Sequence, residues 1–171
     1  NKKWFAVYWL PEMQKLLSLH ERKIIKQYIP YTVCINHENI DDLIQQKNKY
    51  IFKITNSYGG DCVYSGKQLS KKSLKDIMLS KPLNEWVCQH EIEQEDFIVS
   101  HGFDSRPQAH QVVLGLYASK HNTNGMLISL RKDHQHALVS SAESLLGWTL
   151  PVTPRQKAIL INHLNDLKHS C

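Results

Sequence analysis

The segment that most constrains this chain is residues 50–66, which read YIFKITNSYGGDCVYSG. The apolar and aromatic residues predict a strand, and the paired glycines Gly59 and Gly60 predict a turn into a second strand. Lys53 interrupts the first strand. Because burying a lone ammonium group is costly, a strand lysine is expected to reach solvent or an anion.

Two interpretations of this segment stay open. Glycines let backbone N–H groups approach a ligand closely, so a cation beside such a turn is one way to hold a polyphosphate. The other interpretation is an exposed lysine on an edge strand, followed by an ordinary hairpin, because short glycine patterns match many unrelated loops.

The bulk properties of the chain limit its class. Its 171 residues can bury a core as one domain or two small lobes. The formal charge of +5 and pI of about 9.0 suit an anionic small ligand or nucleic acid. The sequence has no apolar run long enough for a membrane span and no signal peptide, so no membrane partner is predicted.

Cysteine usage predicts a reducing compartment, and hence a cytoplasmic location. The cysteines are scattered and form no CxxC pair. They are Cys34, Cys62, Cys88 and Cys171. Because the first residue is Asn1 rather than methionine, we expect the chain to be part of a longer protein.

Hydrophobic periodicity and turn residues predict an α+β fold with mainly antiparallel sheets and flanking helices. Ser18 and Glu21 have the spacing of a capping box. The predicted helices cover residues 3–28, 40–47, 70–80 and 155–168, and the predicted strands cover residues 31–35, 50–55, 61–65, 85–92, 112–118 and 126–131. Residues 93–111 and 119–125 are predicted to be irregular, and residues 137–148 fit either helix or loop.

Other polar groups each have a functional and a structural interpretation. Arg131 ends an apolar strand, where its guanidinium suits a phosphate or a surface carboxylate. His134 and His136 have the spacing of metal ligands on a strand, but their polar, turn-like surroundings favour solvated side chains. An acidic cluster is suited to ribose hydroxyls, to a cation or to an ordinary solvated loop. It consists of Glu91, Glu93, Glu95 and Asp96.

Several short stretches occur in an order that resembles a known family. In chain order they are Asn1-Lys2, Ile29-Pro30-Tyr31-Thr32, Lys53, Tyr58-Gly59-Gly60, Val63, Gly66, Trp86-Val87-Cys88-Gln89, Gly115-Leu116-Tyr117, Leu127 to Arg131, and Leu150-Pro151-Val152. This order is similar to that of the circularly permuted ATP-grasp ligases, which include the glutathionylspermidine synthase-like proteins. The resemblance covers about residues 1–152 and implies an ATP-grasp-like fold of two small lobes.

The resemblance implies a nucleotide site. Lys2 and Lys53 would contact the ATP phosphates or adenine N7, and Tyr58, Gly59 and Gly60 would form a flap over the phosphates. Glu93 would hold the ribose, and Arg131 would approach the phosphates as a catalytic residue. The hinge that hydrogen-bonds adenine would consist of Gln89, His90, Glu91 and Ile92.

The implied chemistry joins a carboxylate to an amine through an acyl phosphate, with ATP and Mg²⁺. The implied division of the chain is a helical segment at 1–48 that carries Asn1-Lys2, a small nucleotide lobe at 49–92, a second sheet lobe at 93–152 and a C-terminal helix at 153–171. The partners would be ATP, the carboxylate and amine substrates, and an upstream part of the same protein.

Four positions depart from the family pattern. The family usually has proline at Ile54, glycine at Cys62, a basic residue at Asp61 and an acidic residue at His90. In the family, the magnesium ligands, an Asp and a Glu-x-Asn, precede the Asn-Lys pair, so we expect them before Asn1.

Two alternatives to a ligase fragment remain. The departures at Ile54, Asp61 and Cys62 suit a degenerate nucleotide-binding or scaffold module without catalysis. The high pI and the lysine-rich residues 71–81 suit a nucleic-acid-binding domain, but they lack the interleaved aromatic residues of such domains, so nucleic acid is the partner least favoured by the sequence.

Overall fold

A computed structural model of the chain describes residues 1–57, 61–99, 106, 108–119, 122–131, 145–149, 153–159 and 162. These residues form a mixed α+β structure with two antiparallel four-stranded sheets. The helices are α1 (Lys3–Val7), α2 (Pro11–Leu16), α3 (Leu19–Tyr28), α4 (Ile40–Gln45) and α5 (Lys71–Leu79), and the strands are β1 (Thr32–Cys34), β2 (Tyr50–Ile54), β3 (Val63–Ser65), β4 (Trp86–His90), β5 (Phe97–Val99), β6 (Gln108–Ser119), β7 (Asn122–Arg131) and β8 (Leu145–Thr149).

The predicted N-terminal helical region is three short helices. The capping box at the start of α3 is confirmed: the Ser18 hydroxyl accepts from the Glu21 N–H at 3.2 Å, and the Glu21 carboxylate accepts from the Ser18 N–H at 2.8 Å. The Ser18 hydroxyl also donates to the Glu21 carboxylate at 2.7 Å, and this bond, together with the one from the Ser18 N–H, holds the pKa of Glu21 below its usual value. Pro11 occupies the first turn of α2, where its missing N–H leaves no bond unmade.

The first sheet has the strand order β1-β4-β2-β3, with every neighbouring pair antiparallel. One face of this sheet forms the main core. Phe52 on β2 and Trp86 on β4 are fully buried there with Leu74 and Met78 of α5. Leu43 of α4 belongs to the same cluster. The apolar residues of the predicted strands and helices therefore meet in one core, as their periodicity requires.

The opposite face of the first sheet carries Lys53, so we call it the lysine face. Because side chains alternate along a strand, Lys53 shares this face with Ile51 of β2. The register places Gln89 of β4 between Thr32 of β1 and Ile51 of β2, and Val87 beside Lys53. The lysine face is thus polar at its centre, although apolar residues surround it.

The second sheet has the order β5-β6-β7-β8. The expectation that 93–111 is irregular was wrong for β5 and for the start of β6, which pair through Ile98 and Ala109. The segment has a polar composition, and a three-residue strand shows too little alternation to be recognised in it. The predicted loop at 119–125 was also wrong, because β6 continues to Ser119 and β7 begins at Asn122. Cross-strand pairing there outweighs the turn-forming composition.

Some predicted elements lie partly or wholly outside the described residues. Residues 154–159 and 162 are helical, which agrees with the predicted C-terminal helix. The stretch Leu150-Pro151-Val152 and the histidines His134 and His136 lie outside the described residues. In the part of the chain that the structure describes, no helix has the length and apolar character to cross a bilayer.

Candidate functional site

The centre of the candidate site is the pair Lys53 and Gln89 on the lysine face. Adjacent strands β2 and β4 present the two side chains to each other, and the Lys53 Nζ donates to the Gln89 Oε1 at 2.6 Å. Both side chains are half-buried. The strand lysine therefore does not extend freely into solvent; the protein holds its ammonium group against an amide.

The electrostatics of Lys53 are those of a cation that lacks a counter-ion. Burial lowers the pKa of Lys53, and repulsion from the ammonium group of Lys2 lowers it further. No salt bridge joins Lys53 to an acidic group among the described residues. An anionic ligand placed here would relieve both unfavourable effects.

Lys2 connects the amino-terminal segment to the loop that leaves β2. Its Nζ donates to the Ile54 carbonyl at 3.0 Å, to the Ser57 hydroxyl at 2.8 Å and to the Ser57 carbonyl. Its backbone N–H donates to the Thr55 carbonyl at 2.9 Å. The ammonium group thus has an acceptor for each of its three N–H bonds. Contact between Lys2 and a phosphate stays a prediction, and it would require the phosphate to replace one of these acceptors.

An open cavity of about 480 Å³ lies beside this contact. It is lined by Asn1, Lys2, Phe5, Thr55, Asn56 and Ser57. Residues 55–57 of this lining precede the glycine pair. The Asn1-Lys2 pair and the β2–β3 loop, widely separated in sequence, therefore meet at one place.

The base of the glycine loop is closed by Ser57. Its hydroxyl donates to the Asp61 carbonyl at 2.9 Å, which bridges the two ends of the loop. Tyr58, Gly59 and Gly60 lie between them and outside the described residues. The flap proposed for these three residues stays a prediction, but its two attachment points are fixed.

Cys62, directly after the loop, has φ 53°, the left-handed conformation that favours glycine. It is the sole non-glycine residue with positive φ among those described. This is the position at which the similar family usually has glycine. The departure therefore occurs at a backbone conformation for which glycine is the natural residue.

We expect Cys62→Gly to change the free energy of unfolding by less than about 1 kcal/mol. Relief of the left-handed strain offsets the lost packing and the greater freedom of glycine in the unfolded chain. Cys62→Val should destabilise by about 2 kcal/mol, because a β-branched residue tolerates this conformation poorly. Urea denaturation of both variants checks this, and a larger loss for glycine than for valine would contradict it.

The end of β4, predicted as an adenine hinge, is partly used by the fold. The His90 N–H donates to the Tyr31 carbonyl at 2.8 Å, and the Glu91 N–H donates to the Lys49 carbonyl at 2.9 Å. The His90 ring stacks on Tyr50 at 4.9 Å, on the face opposite Lys53. Of the predicted hinge, only the backbone N–H of Ile92 makes no bond to a described residue.

The acidic residues at this edge contact Lys67. The Glu91 carboxylate lies 3.5 Å from the Lys67 Nζ and accepts from the Ser65 hydroxyl at 3.4 Å. Glu93 lies 3.9 Å from the same Nζ, but its side chain is 92% exposed. Exposed pairs of this kind contribute little to stability, so Glu93 is free to reorient towards a ligand.

Arg131 is the last residue of β7 and pairs with Gln111 of β6. Its side chain lies outside what the structure describes. Its predicted catalytic role therefore stays a prediction.

The sequence assigns no role to two residues of the site, Thr32 and Ser57. Thr32 accepts from the Gln89 Nε2 at 2.9 Å, and Ser57 connects Lys2 to the loop. The available signals were strand register, which places Thr32 opposite Gln89, and the position of Ser57 directly before the glycine loop. Neither side chain is charged, so a sequence pattern of lysines, arginines and carboxylates does not identify them.

Comparison of the sequence with models of protein families gives no match, and comparison with curated proteins gives no significant match. The proposed function therefore depends on the geometry and charge of the site. Among the residues that the structure describes, no three His, Cys, Asp or Glu side chains come together as a metal ion would require. The family resemblance places the Mg²⁺ ligands outside these residues, so Mg²⁺ binding stays a prediction.

Proposed function

We propose that this chain is the ATP-binding portion of an ATP-dependent carboxylate–amine ligase of the circularly permuted ATP-grasp type. One observation carries the proposal. Lys2, Lys53 and Gln89 come from three separate segments, and the family resemblance implies a nucleotide contact for each of them. Lys53 lies against Gln89 and close enough to Lys2 for their charges to repel.

The phosphates are placed at Lys53. A triphosphate there supplies the counter-ion that the half-buried ammonium lacks, and charge-assisted hydrogen bonds from a lysine to phosphate are strong. Ser57 and Asp61, the described ends of the glycine loop, are joined by a hydrogen bond beyond the end of β2, and the N–H groups of a glycine pair between them would suit phosphate oxygens.

The adenine is placed at the exit of β4. Since the N–H groups of His90 and Glu91 are already bonded to the carbonyls of Tyr31 and Lys49, the hinge contact is assigned to the backbone of Ile92 and Glu93. Ile92 is 62% exposed, and its backbone N–H makes no bond to a described residue. Glu93 then lies next to the ribose, as the family resemblance implies.

The proposed reaction has two steps. A carboxylate oxygen attacks the γ-phosphorus of ATP, which forms an acyl phosphate and releases ADP. The amine nitrogen then attacks the acyl carbon, which releases inorganic phosphate and, after loss of a proton, leaves an amide. Lys53 and Arg131 are assigned to the charge that develops on the transferred phosphoryl group.

Titration calorimetry with adenylyl imidodiphosphate, the non-hydrolysable ATP analogue, and Mg²⁺ tests the nucleotide site. We expect one equivalent to bind at least tenfold more tightly than adenosine, because the phosphates make the charged contacts. Absence of binding, or equal affinity for adenosine, would overturn the proposal.

The noncatalytic alternative is separated by turnover in the full-length protein. A ligase should form ADP only when a carboxylic acid is present, and hydroxylamine should trap the acyl phosphate as a hydroxamate. Binding of the analogue without such turnover would instead identify a nucleotide-binding module that has lost catalysis.

The lysines that suggested nucleic acid are partly used within the fold. Lys75 of α5 pairs with Asp41 of α4 at 2.6 Å, and Lys71 donates to Gln45. Their helix thus presents fewer free cations than its sequence implies. Salt-dependent binding to arbitrary DNA, unaffected by ATP, would favour this alternative.

A further inference from the structure

The Gln89 side-chain amide is fixed at both ends by a directed chain of hydrogen bonds. The Lys53 Nζ donates to its Oε1 at 2.6 Å, and its Nε2 donates to the Thr32 Oγ1 at 2.9 Å. The Thr32 hydroxyl in turn donates to the Pro30 carbonyl at 2.9 Å. We call these four residues the Thr32 relay.

The orientation of the amide in this relay is not arbitrary. An ammonium group can only donate, and a backbone carbonyl can only accept. The Thr32 hydroxyl uses its single hydrogen on Pro30, so its oxygen must accept from the Gln89 NH₂ group. The Gln89 oxygen therefore faces Lys53, and a flipped amide would set two donor groups against each other.

Thr32 itself cannot contact a ligand from this position. It is 1% exposed, and it lies opposite Gln89 in the register of β1 and β4. Gln89 separates it from Lys53. Any effect of its hydroxyl on a ligand of the lysine face must pass through the amide.

We infer that Thr32 is a positioning residue: its hydroxyl fixes the Gln89 amide so that the amide oxygen holds the Lys53 ammonium on the face proposed for the nucleotide phosphates. The expected effect of Thr32 on nucleotide affinity rests on the proposed function, whereas the hydrogen bonds of the Thr32 relay do not. It gives a physical role to the last residue of Ile29-Pro30-Tyr31-Thr32, for which the family resemblance implied none.

The test compares Thr32→Val, which keeps the shape of the side chain but removes the hydroxyl, with Thr32→Ser, which keeps the hydroxyl. We expect Thr32→Val to lower the affinity for Mg²⁺–adenylyl imidodiphosphate about fivefold to tenfold, the equivalent of one hydrogen bond. Affinity for adenosine should not change, since it lacks phosphates. Thr32→Ser should bind both ligands as the unaltered protein does.

A second measurement needs no nucleotide. Titration of ¹³C-labelled lysine side chains by NMR reports the pKa of Lys53 directly. Because a lost acceptor disfavours the charged form, Thr32→Val should lower the pKa of Lys53 and Thr32→Ser should not. A protein that binds no nucleotide but shows this difference would overturn the proposed function and retain the relay.

Gln89→Met provides the check if Thr32→Val folds poorly. It removes the middle of the relay at a half-buried position and should reproduce the loss of affinity for the analogue. The double variant should lose little more than Gln89→Met alone, because both changes break one chain. Additive losses, or an unchanged Lys53 pKa in Thr32→Val, would overturn the inference.

Discussion

Replacing Lys53 with methionine is expected to reduce the affinity for the ATP analogue at least about 30-fold without weakening the fold. A buried charge contact to a ligand contributes about 2–5 kcal/mol, and each 1.4 kcal/mol is a tenfold change in affinity. Methionine keeps the length and apolar stem of lysine, so packing beside Val87 is preserved. Only the ammonium group and its bond to Gln89 are lost.

The stability of Lys53→Met should be unchanged or higher by up to about 1 kcal/mol, since replacing buried ionic groups with apolar side chains is often stabilising. Burial and Lys2 both lower the pKa of Lys53 in the folded state. The folded state therefore disfavours the charged amine, and this cost disappears as pH rises from the folded pKa to the unfolded pKa. The gain from Lys53→Met should consequently be largest at neutral pH and shrink at alkaline pH.

Lys75→Met is the matched control. It removes the same charge from an exposed site, where Lys75 pairs with Asp41, and should leave the nucleotide affinity unchanged and the free energy of unfolding within about 1 kcal/mol. Calorimetry and urea denaturation between neutral and alkaline pH measure both properties. If Lys53→Met destabilised the fold by more than about 1 kcal/mol and kept its affinity for the analogue, Lys53 would be a structural residue. The nucleotide phosphates would then bind elsewhere.

The first sheet could be predicted from sequence because local signals and burial agree in it. Lys53 sits in an apolar segment that forms strand β2, and the bond from Ser57 to Asp61 joins the two ends of the loop for which a glycine turn is predicted. Ser70 caps α5 as an N-cap serine should, accepting from the Ser73 N–H at 3.0 Å. Each element is specified within its own residues, so no long-range information is needed.

The second sheet and the details of the site depend on pairing between distant residues. β5 becomes a strand only because β6 lies beside it, and its three residues carry no alternation of their own. Likewise, Thr32 and Gln89 are far apart in sequence and become partners through the register of β1 and β4. Charged residues and glycines in the sequence predict where a ligand contact lies, but they do not identify the neutral side chains that orient the charged group.

Among Gly66, Gly115 and Gly125, the added methyl group of an alanine should destabilise the fold most at Gly66. A Cβ built there would lie 1.9 Å from the backbone oxygen of Lys47 and 2.5 Å from its carbonyl carbon. The obstacle is main chain, so no side-chain rotation relieves it. The Gly66 backbone is also fixed on both sides, since its N–H donates to the Tyr50 carbonyl at 2.9 Å and its carbonyl accepts from the Lys47 Nζ at 2.6 Å.

We therefore expect Gly66→Ala to lower the free energy of unfolding by at least about 3 kcal/mol, at the upper end of the cost of overpacking. Gly115→Ala is the control, because its Cβ would meet no atom closer than 3.7 Å and should change stability by less than about 1 kcal/mol. Urea denaturation of the two variants makes the comparison. Equal stabilities would contradict the close approach between residues 47 and 66.

Gly66→Ala also distinguishes a role of Gly66 in the fold from a role in nucleotide binding. Gly66 lies at the end of the hairpin that carries the proposed phosphate loop, but its contacts are with Lys47 and Tyr50 rather than with Lys53. Gly66→Ala should thus bind the ATP analogue with unaltered affinity wherever it is still folded, for instance at low temperature. A loss of affinity in the folded variant would instead place Gly66 at the nucleotide, and would show that the hairpin transmits strain from its base to the lysine face.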